Sequence, residues 1–231
     1  FAGVQRLVIV SNDGFSQEHI DWQKQTIDAA VQAKVQHIVY TSFAAPHPSL
    51  PLLTKHYYTE AHLASVPTSI GFTNLRNHLY QEVLLSSLPH AVSTGGWATA
   101  TEDVYTRSYV SRADLAVATA VAATNLTNTS ERRQYDLAGP EQFTASQTAA
   151  LVSEVTGKTV NFTPISFDTL VSIYTNFMPH EVAVPIATLD VHTALGYDSS
   201  TSGDLEKLIG RKPKTLRQFL TEQKAALLGS K

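Results

Sequence analysis

Arg6-Leu-Val-Ile-Val10 is a short, unbroken apolar run, rich in β-branched residues and free of alternation. That pattern fits a strand buried on both faces, as in a parallel sheet. The run stops at Ser11-Asn-Asp-Gly14, a turn cluster. Ser16 is placed to cap the helix that follows, and Glu18 in its first turn suits the positive end of the helix dipole. Ile20, Ile27 and Val31 fall on one face of that helix, with Ala30 beside them. Val35-Gln-His-Ile-Val-Tyr-Thr41 then reads as a second strand. Residues 6–41 therefore form one strand–helix–strand unit, whose crossover is expected to be right-handed.

Outward from this unit the alternation continues. A loop carrying Pro46, Pro48 and Pro51 leads to a helix over 55–64 and a third strand over 69–75. A helical stretch around Tyr80–Ser86 precedes Gly95-Gly96 and Trp97, which read as a hairpin turn. Ser111-Arg-Ala-Asp114 and Thr144-x-x-Gln147 are capping boxes, opening an Ala/Val-rich helix and a second helix that ends near Gly157. Strands are expected over 134–138 and 159–163, and helices over about 166–176, 180–195 and 213–226, with a loose polar stretch at 198–203. The first part alternates strand and helix, and the last third is helix-rich. This predicts an α/β fold, a doubly wound parallel sheet with a small helix-rich C-terminal subdomain, divided as 1–138 and 139–231. Arg6–Val10 needs a neighbour on each side, and the strands are few for an open sheet, so the chain reads as if it opens in mid-fold and the sheet as N-terminally incomplete.

Composition narrows the function. The chain has 231 residues, 17 Lys+Arg against 20 Asp+Glu, and no cysteine. Disulfides, thiolate nucleophiles, Cys-ligated zinc and iron–sulfur clusters are excluded. The slight negative charge gives no reason to expect a nucleic-acid or membrane-surface partner, and a cytoplasmic location is the default expectation. There is no G-x-G-x-x-G, P-loop or G-x-S-x-G, and the nine histidines include no H-E-x-x-H, so no metal is expected. The basic residues Lys207, Arg211, Lys212, Lys214 and Arg217 read as a solvated helix face. What remains is positional. In open parallel sheets ligands bind beyond the C-terminal strand ends. Polar residues stand at three such ends: Ser11-Asn12, Thr41-Ser42 and Arg76-Asn77. Such residues also end strands without binding anything; three ends in succession favour a shared crevice.

Several segments, in order, carry a family resemblance. Val35-Gln-His-Ile-Val-Tyr-Thr-Ser42 and His56-Tyr-Tyr-Thr-Glu60 are followed by Gly71-Phe-Thr-Asn-Leu-Arg-Asn77 with Tyr80. Ser111-Arg-Ala-Asp114, Tyr135-Asp-Leu-Ala-Gly139 and Leu208-Ile-Gly-Arg-Lys-Pro213 complete the set. Together they resemble the NmrA-like family of atypical short-chain dehydrogenases, most of all its flavin-free bacterial NAD(P)H:quinone reductases. The resemblance implies a Rossmann-like fold and NADPH or NADH as cofactor, with no flavin and no metal. It implies hydride transfer to a quinone or similar small acceptor, and it leaves room for a homo-oligomer. Because the family also contains dinucleotide-sensing proteins without activity, a non-catalytic sensor or partner-binding role, or an inactive truncated homologue, stands as the alternative. Family members begin with a G-A-T-G-x-x-G turn that this sequence lacks, and Arg6–Val10 resembles their fourth strand. On that reading about 60 residues lie upstream of Phe1.

The resemblance also assigns residues. Ser11 and Asn12 would lie beside the cofactor ribose, Thr41 and Ser42 would border the nicotinamide, and Asn77, His78 and Tyr80 would line the substrate side. His56 stands where the family carries a lysine or histidine. It is the expected proton donor, since an ordinary imidazole titrates near ~6.5, although a histidine at a helix start can equally be a surface residue. His56 and Tyr80 are the expected catalytic residues, and Ser11, Asn12, Thr41, Ser42 and Asn77 the cofactor-binding ones. Arg112 and Asp114 read as parts of a helix cap.

Overall fold

The computed structural model describes residues 1–125 and 128–229. Its first half runs β1 (Arg6–Ile9), α1 (Gln17–Gln32), β2 (His37–Phe43), α2 (Pro51–Ser65) and β3 (Gly71–Asn77). A 3-10 turn at Gln81–Ser86, α3 (Leu88–Thr94), β4 (Gly96–Thr99) and β5 (Arg107–Ser108) follow. Then come α4 (Arg112–Thr124), β6 (Arg132–Leu137), β7 (Gln142–Phe143), α5 (Ala145–Thr156) and β8 (Asn161–Pro164). The last third is helical: α6 (Phe167–Tyr174), α7 (His180–Ala194), α8 (Asp204–Ile209), α9 (Leu216–Glu222) and α10 (Lys224–Leu227).

The central sheet has the order β1-β2-β3-β6, all parallel. Its register sets Arg6 against His37, His37 against Gly71 and Phe72 against Arg132. Strand alternation sends Ile38 and Tyr40 to one face, where Ile27 and Ala30 of α1 and Leu63 of α2 meet them. Val39 and Leu75 go to the other face, against Leu115, Ala118 and Ala122 of α4 and Leu205 of α8. Both faces of β2 are therefore dry. Another cluster joins Leu79, Leu88, Trp97 and Tyr109 to Leu151 and Val152 of α5 and Leu216 and Phe219 of α9. That cluster draws on both sides of residue 138.

β1 lies at an edge of the sheet, and Val8 is 37% and Val10 73% exposed. Within these residues the strand has one paired neighbour, β2, rather than the two its apolar pattern asks for. The hairpin expected at Gly95-Gly96 is absent. Gly95, at φ +80°, is instead the left-handed residue that terminates α3, and Gly96 opens β4, which pairs in parallel with β8. Ser16 has the extended backbone of an N-cap, but its hydroxyl meets Nδ1 of His19 at 2.7 Å rather than a helix amide. The Ser111 cap forms, with the Asp114 amide 3.1 Å from Ser111 Oγ. The Asp114 carboxylate turns to the Ser111 hydroxyl, Arg211 and the Lys214 amide, tying α4 to the segment before α9. Of the basic residues read as a solvated helix face, Lys207, Arg211, Lys212 and Arg217 are exposed, but they are spread over α8, the segment after it and α9 rather than along one helix, and several form surface ion pairs. Arg211 pairs with Asp114, Lys214 with Glu222 and Arg217 with Glu154.

Candidate active site at the strand ends

Of the expected site residues, Ser11, Asn12, Thr41, Ser42 and Asn77 lie at the C-terminal ends of β1, β2 and β3. The Ser11 amide donates to Thr41 Oγ1 at 2.9 Å, and the two hydroxyls are 3.4 Å apart, so the ends of β1 and β2 are joined. Ser42 stands opposite Arg76, and Phe43 opposite Asn77. The Ala44 amide donates to the Asn77 carbonyl at 2.9 Å, closing the turn after β2 onto the end of β3. Alternation divides these groups. Thr41 and Asn77 share the face of Val39 and Leu75, and Ser42 shares that of Tyr40.

His56 lies on the Tyr40 face. It is on α2, buried, with Nδ1 2.9 Å from the Tyr40 hydroxyl. Burial, reinforced by the Lys55 charge, lowers its pKa to about 3. The sequence-based expectation of a proton donor at the ordinary imidazole value is thereby corrected: His56 is neutral near pH 7. Burial likewise raises the Tyr40 hydroxyl, so that pair is a neutral hydrogen bond. Tyr80 is not brought to His56. Its ring packs with the Val39 and Leu115 cluster on the opposite face, beneath the Arg112 guanidinium at 4.9 Å. Asn12 holds its turn through Nδ2, which donates to the His19 carbonyl at 3.3 Å, and Oδ1, which faces Gln23 Nε2 at 3.4 Å.

Three residues here escaped the sequence reading. Lys55 is buried and donates to the Asn12 carbonyl, and desolvation lowers its pKa against the pull of Asp13. Gln23 and Tyr40 extend the polar cluster beneath the strand ends. Their signal in the sequence was parity alone: Gln23 lies on the Ile20–Ile27 stripe of α1, and Tyr40 alternates with Val39. The remaining groups are short of partners. Ser42 Oγ, Asn77 Oδ1 and His78 Nδ1 are buried with no hydrogen-bond partner. His78 Nε2 is held 2.8 Å from Asp136. Burial raises the Asp136 carboxyl, but the His78 bond and charge, with Ser200 and Arg76, outweigh it and hold it below the usual carboxylate range. A buried polar atom without a partner costs about 1–3 kcal/mol. Ser42 and Asn77 thus leave polar atoms at the strand ends open to a ligand or to water, as Gln23, Thr59, Asn74 and Gln81 do elsewhere.

A parallel sheet covered by helices on both faces, with polar residues collected at its C-terminal edge, defines a doubly wound, Rossmann-like α/β fold, in which ligands bind at that edge. The sequence model of the NmrA-like family matches residues 1–220, and the chain belongs to that family. Quinone oxidoreductase 2 of Escherichia coli is 33% identical over 221 residues, covering 95% of this chain and 75% of that protein. The crystal structure of the E. coli NADPH-dependent quinone oxidoreductase with NADPH superposes with a TM-score of 0.88 at 30% identity, over 96% of this chain and 77% of that one. Citrobacter sp. triphenylmethane reductase, solved with NADP(H), gives 0.84 at 29% identity, over 96% of this chain and 78% of that one. No helix among the described residues is long and apolar enough to cross a membrane.

Proposed function

We propose that this protein is a reductase that takes hydride from NADPH or NADH and passes it to a quinone or a similar small acceptor. The observation that carries the reading is the pair of buried orphans, Ser42 Oγ and Asn77 Oδ1, at the ends of adjacent strands in the fold of an NADPH-dependent reductase family. A nicotinamide carboxamide and ribose offer both donors and acceptors, so the chemistry of these residues fits that half of the dinucleotide. Ser11, Asn12, Thr41, Ser42 and Asn77 would hold it. These residues include no glycine-rich turn, so the fit does not extend to the pyrophosphate.

The dinucleotide, when bound, supplies the hydride. The chain's own residues supply position. Asn77 and Tyr80 would orient an acceptor, and the Arg112 guanidinium stacks on the Tyr80 ring. His56, held neutral against Tyr40, acts as a hydrogen-bonding group and not as a proton source. A quinone suits such a site. Its reduced product is a stable phenolate-like species that depends less on an enzyme-held proton than a ketone does.

The test is titration of NADPH by its nicotinamide fluorescence, with full-length protein and its Asn77→Ala variant. The variant is expected to bind about tenfold more weakly, the loss of one well-placed hydrogen bond. Equal binding by the two would remove Asn77 from the site. A non-catalytic sensor would bind the dinucleotide and turn over no acceptor.

A further inference from the structure

His192 lies on α7, outside the site, and is wholly buried. Its two ring nitrogens face two acceptors. Nδ1 is 2.9 Å from Asp198 Oδ1, and Nε2 is 3.0 Å from the Ala44 carbonyl oxygen. A carbonyl oxygen only accepts, so Nε2 carries a proton. A carboxylate also only accepts, so Nδ1 carries one too. Geometry marks Asp198 as the ionised partner: its Oδ2 accepts from the Thr193 hydroxyl and lies 3.9 Å from the Arg107 Nε.

The surrounding charges close the same way. Arg107 on β5 is paired with Asp190 of α7, and its Nε is 3.9 Å from Asp198 Oδ2. With His192 as a cation, two positive and two negative groups share this buried cluster; with His192 neutral, it would hold an uncompensated negative charge. The other titratable groups nearby are Tyr109 just after β5, Tyr174 of α6, and Tyr197, whose ring is 5.3 Å from His192 and stacks on His47. Phe43 stands between His192, at 5.5 Å edge to face, and His56, at 6.2 Å.

The Ala44 carbonyl begins a constrained turn. Ala45, the next residue, has φ +40°, a left-handed conformation that an L-alanine adopts only when its surroundings impose it. In the preceding peptide, the Ala44 amide donates to the Asn77 carbonyl. We propose that His192 is a positioning residue that, carrying both ring protons, clamps the turn after β2 to α7 and so sets Phe43 and Asn77 at the strand ends. The chain of contacts runs from Asp198 through His192 and Ala44 to Asn77. Its consequence for turnover rests on the reductase reading above; the clamp itself does not.

The test is a long-range proton–nitrogen correlation of the histidine rings in the full chain at about pH 7.5, where an ordinary imidazole is mostly neutral. The His192 ring is assigned by its through-space contacts with the Phe43 ring. Both of its nitrogens are expected in the protonated range. A single protonated nitrogen would overturn the proposal. In Asp198→Asn the ring is expected to become neutral, and exchange of the Ala44 amide to quicken by about tenfold. Unchanged exchange in a variant with a neutral ring would overturn the clamp. Neither readout involves turnover, so failure of the clamp leaves the reductase reading intact, and failure of that reading leaves the clamp.

Discussion

The Tyr40 hydroxyl and Nδ1 of His56 lie 2.9 Å apart, both enclosed between the sheet and α2. This one contact joins the strand that ends at Thr41-Ser42 to the helix that carries the expected catalytic histidine, and it does so with neutral groups.

It makes stability depend on pH in a stated direction. An unfolded chain protonates His56 near ~6.5, whereas the folded chain does so only at about 3. The unfolded state therefore binds more protons in between, and stability is full above about pH 6.5 and falls as pH drops through that window. The slope from His56 is about 1.4 kcal/mol per pH unit. His37, also lowered by burial, adds to it, whereas Asp136 and Asp198 act only at more acid pH. Urea denaturation at about pH 7 and about pH 5 is expected to show this loss in the wild type and a smaller one in His56→Gln. An equal loss in both would contradict the buried, neutral histidine.

Gly139 follows β6, and a Cβ built there would lie 1.8 Å from the Tyr109 carbonyl oxygen. Backbone on backbone cannot yield as a side chain can. Gly139→Ala is expected to cost more than about 3 kcal/mol. Gly203→Ala, whose Cβ would meet nothing closer than the Lys207 side chain at 3.8 Å, is expected to stay within about 1 kcal/mol of wild type. Chemical denaturation of both variants checks the contrast.

The sheet was legible because strands alternate with helix-length segments and β2 carries the apolar Ile38-Val39-Tyr40 at its centre; β3, Gly-Phe-Thr-Asn-Leu-Arg-Asn, was read from its place in that alternation. The N-cap at Ser111 and the capping box at Thr144 were legible because caps are local chemistry, although the Asp114 carboxylate does not return to the Ser111 amide as a full box would need. Gly95-Gly96 misled because a helix C-cap and a hairpin turn both call for glycine, and the helix it ends, Leu88–Thr94, carries an early proline and little periodicity. Of the site, the strand-end residues could be read from position. The Lys55–Asn12 contact, the Tyr40–His56 pair and the His192–Ala44 bond, which spans 148 residues, could not. Each depends on tertiary packing that no spacing in the sequence encodes.

Ser42 gives a trade between stability and binding. Its Oγ is buried without a partner, so Ser42→Ala removes a penalty from the free protein. The variant is expected to be as stable as wild type or up to about 1 kcal/mol more so, while its affinity for NADPH falls. Thermal melts with and without NADPH check this. A variant that loses stability and keeps its affinity would assign Ser42 to packing alone.

Steady-state kinetics separate the two candidate catalytic residues. Tyr80→Ala, which also frees the Arg112 guanidinium, is expected mainly to raise KM for the acceptor. His56→Ala is expected to lower kcat by about tenfold, less than the ~10²-fold typical of a lost proton donor. The wild-type profile should show no inflection from His56 near neutrality, since burial has moved its titration to about 3. An inflection there that vanishes in His56→Ala would restore the proton-donor role.

The most direct test of the central claim is oxidation of NADPH by the full-length protein with a small benzoquinone as acceptor. A reductase consumes NADPH in a way that depends on quinone, saturates with it, and weakens in Asn77→Ala. Protein that binds the dinucleotide yet turns over no quinone would contradict that claim and leave a sensor in place of an enzyme.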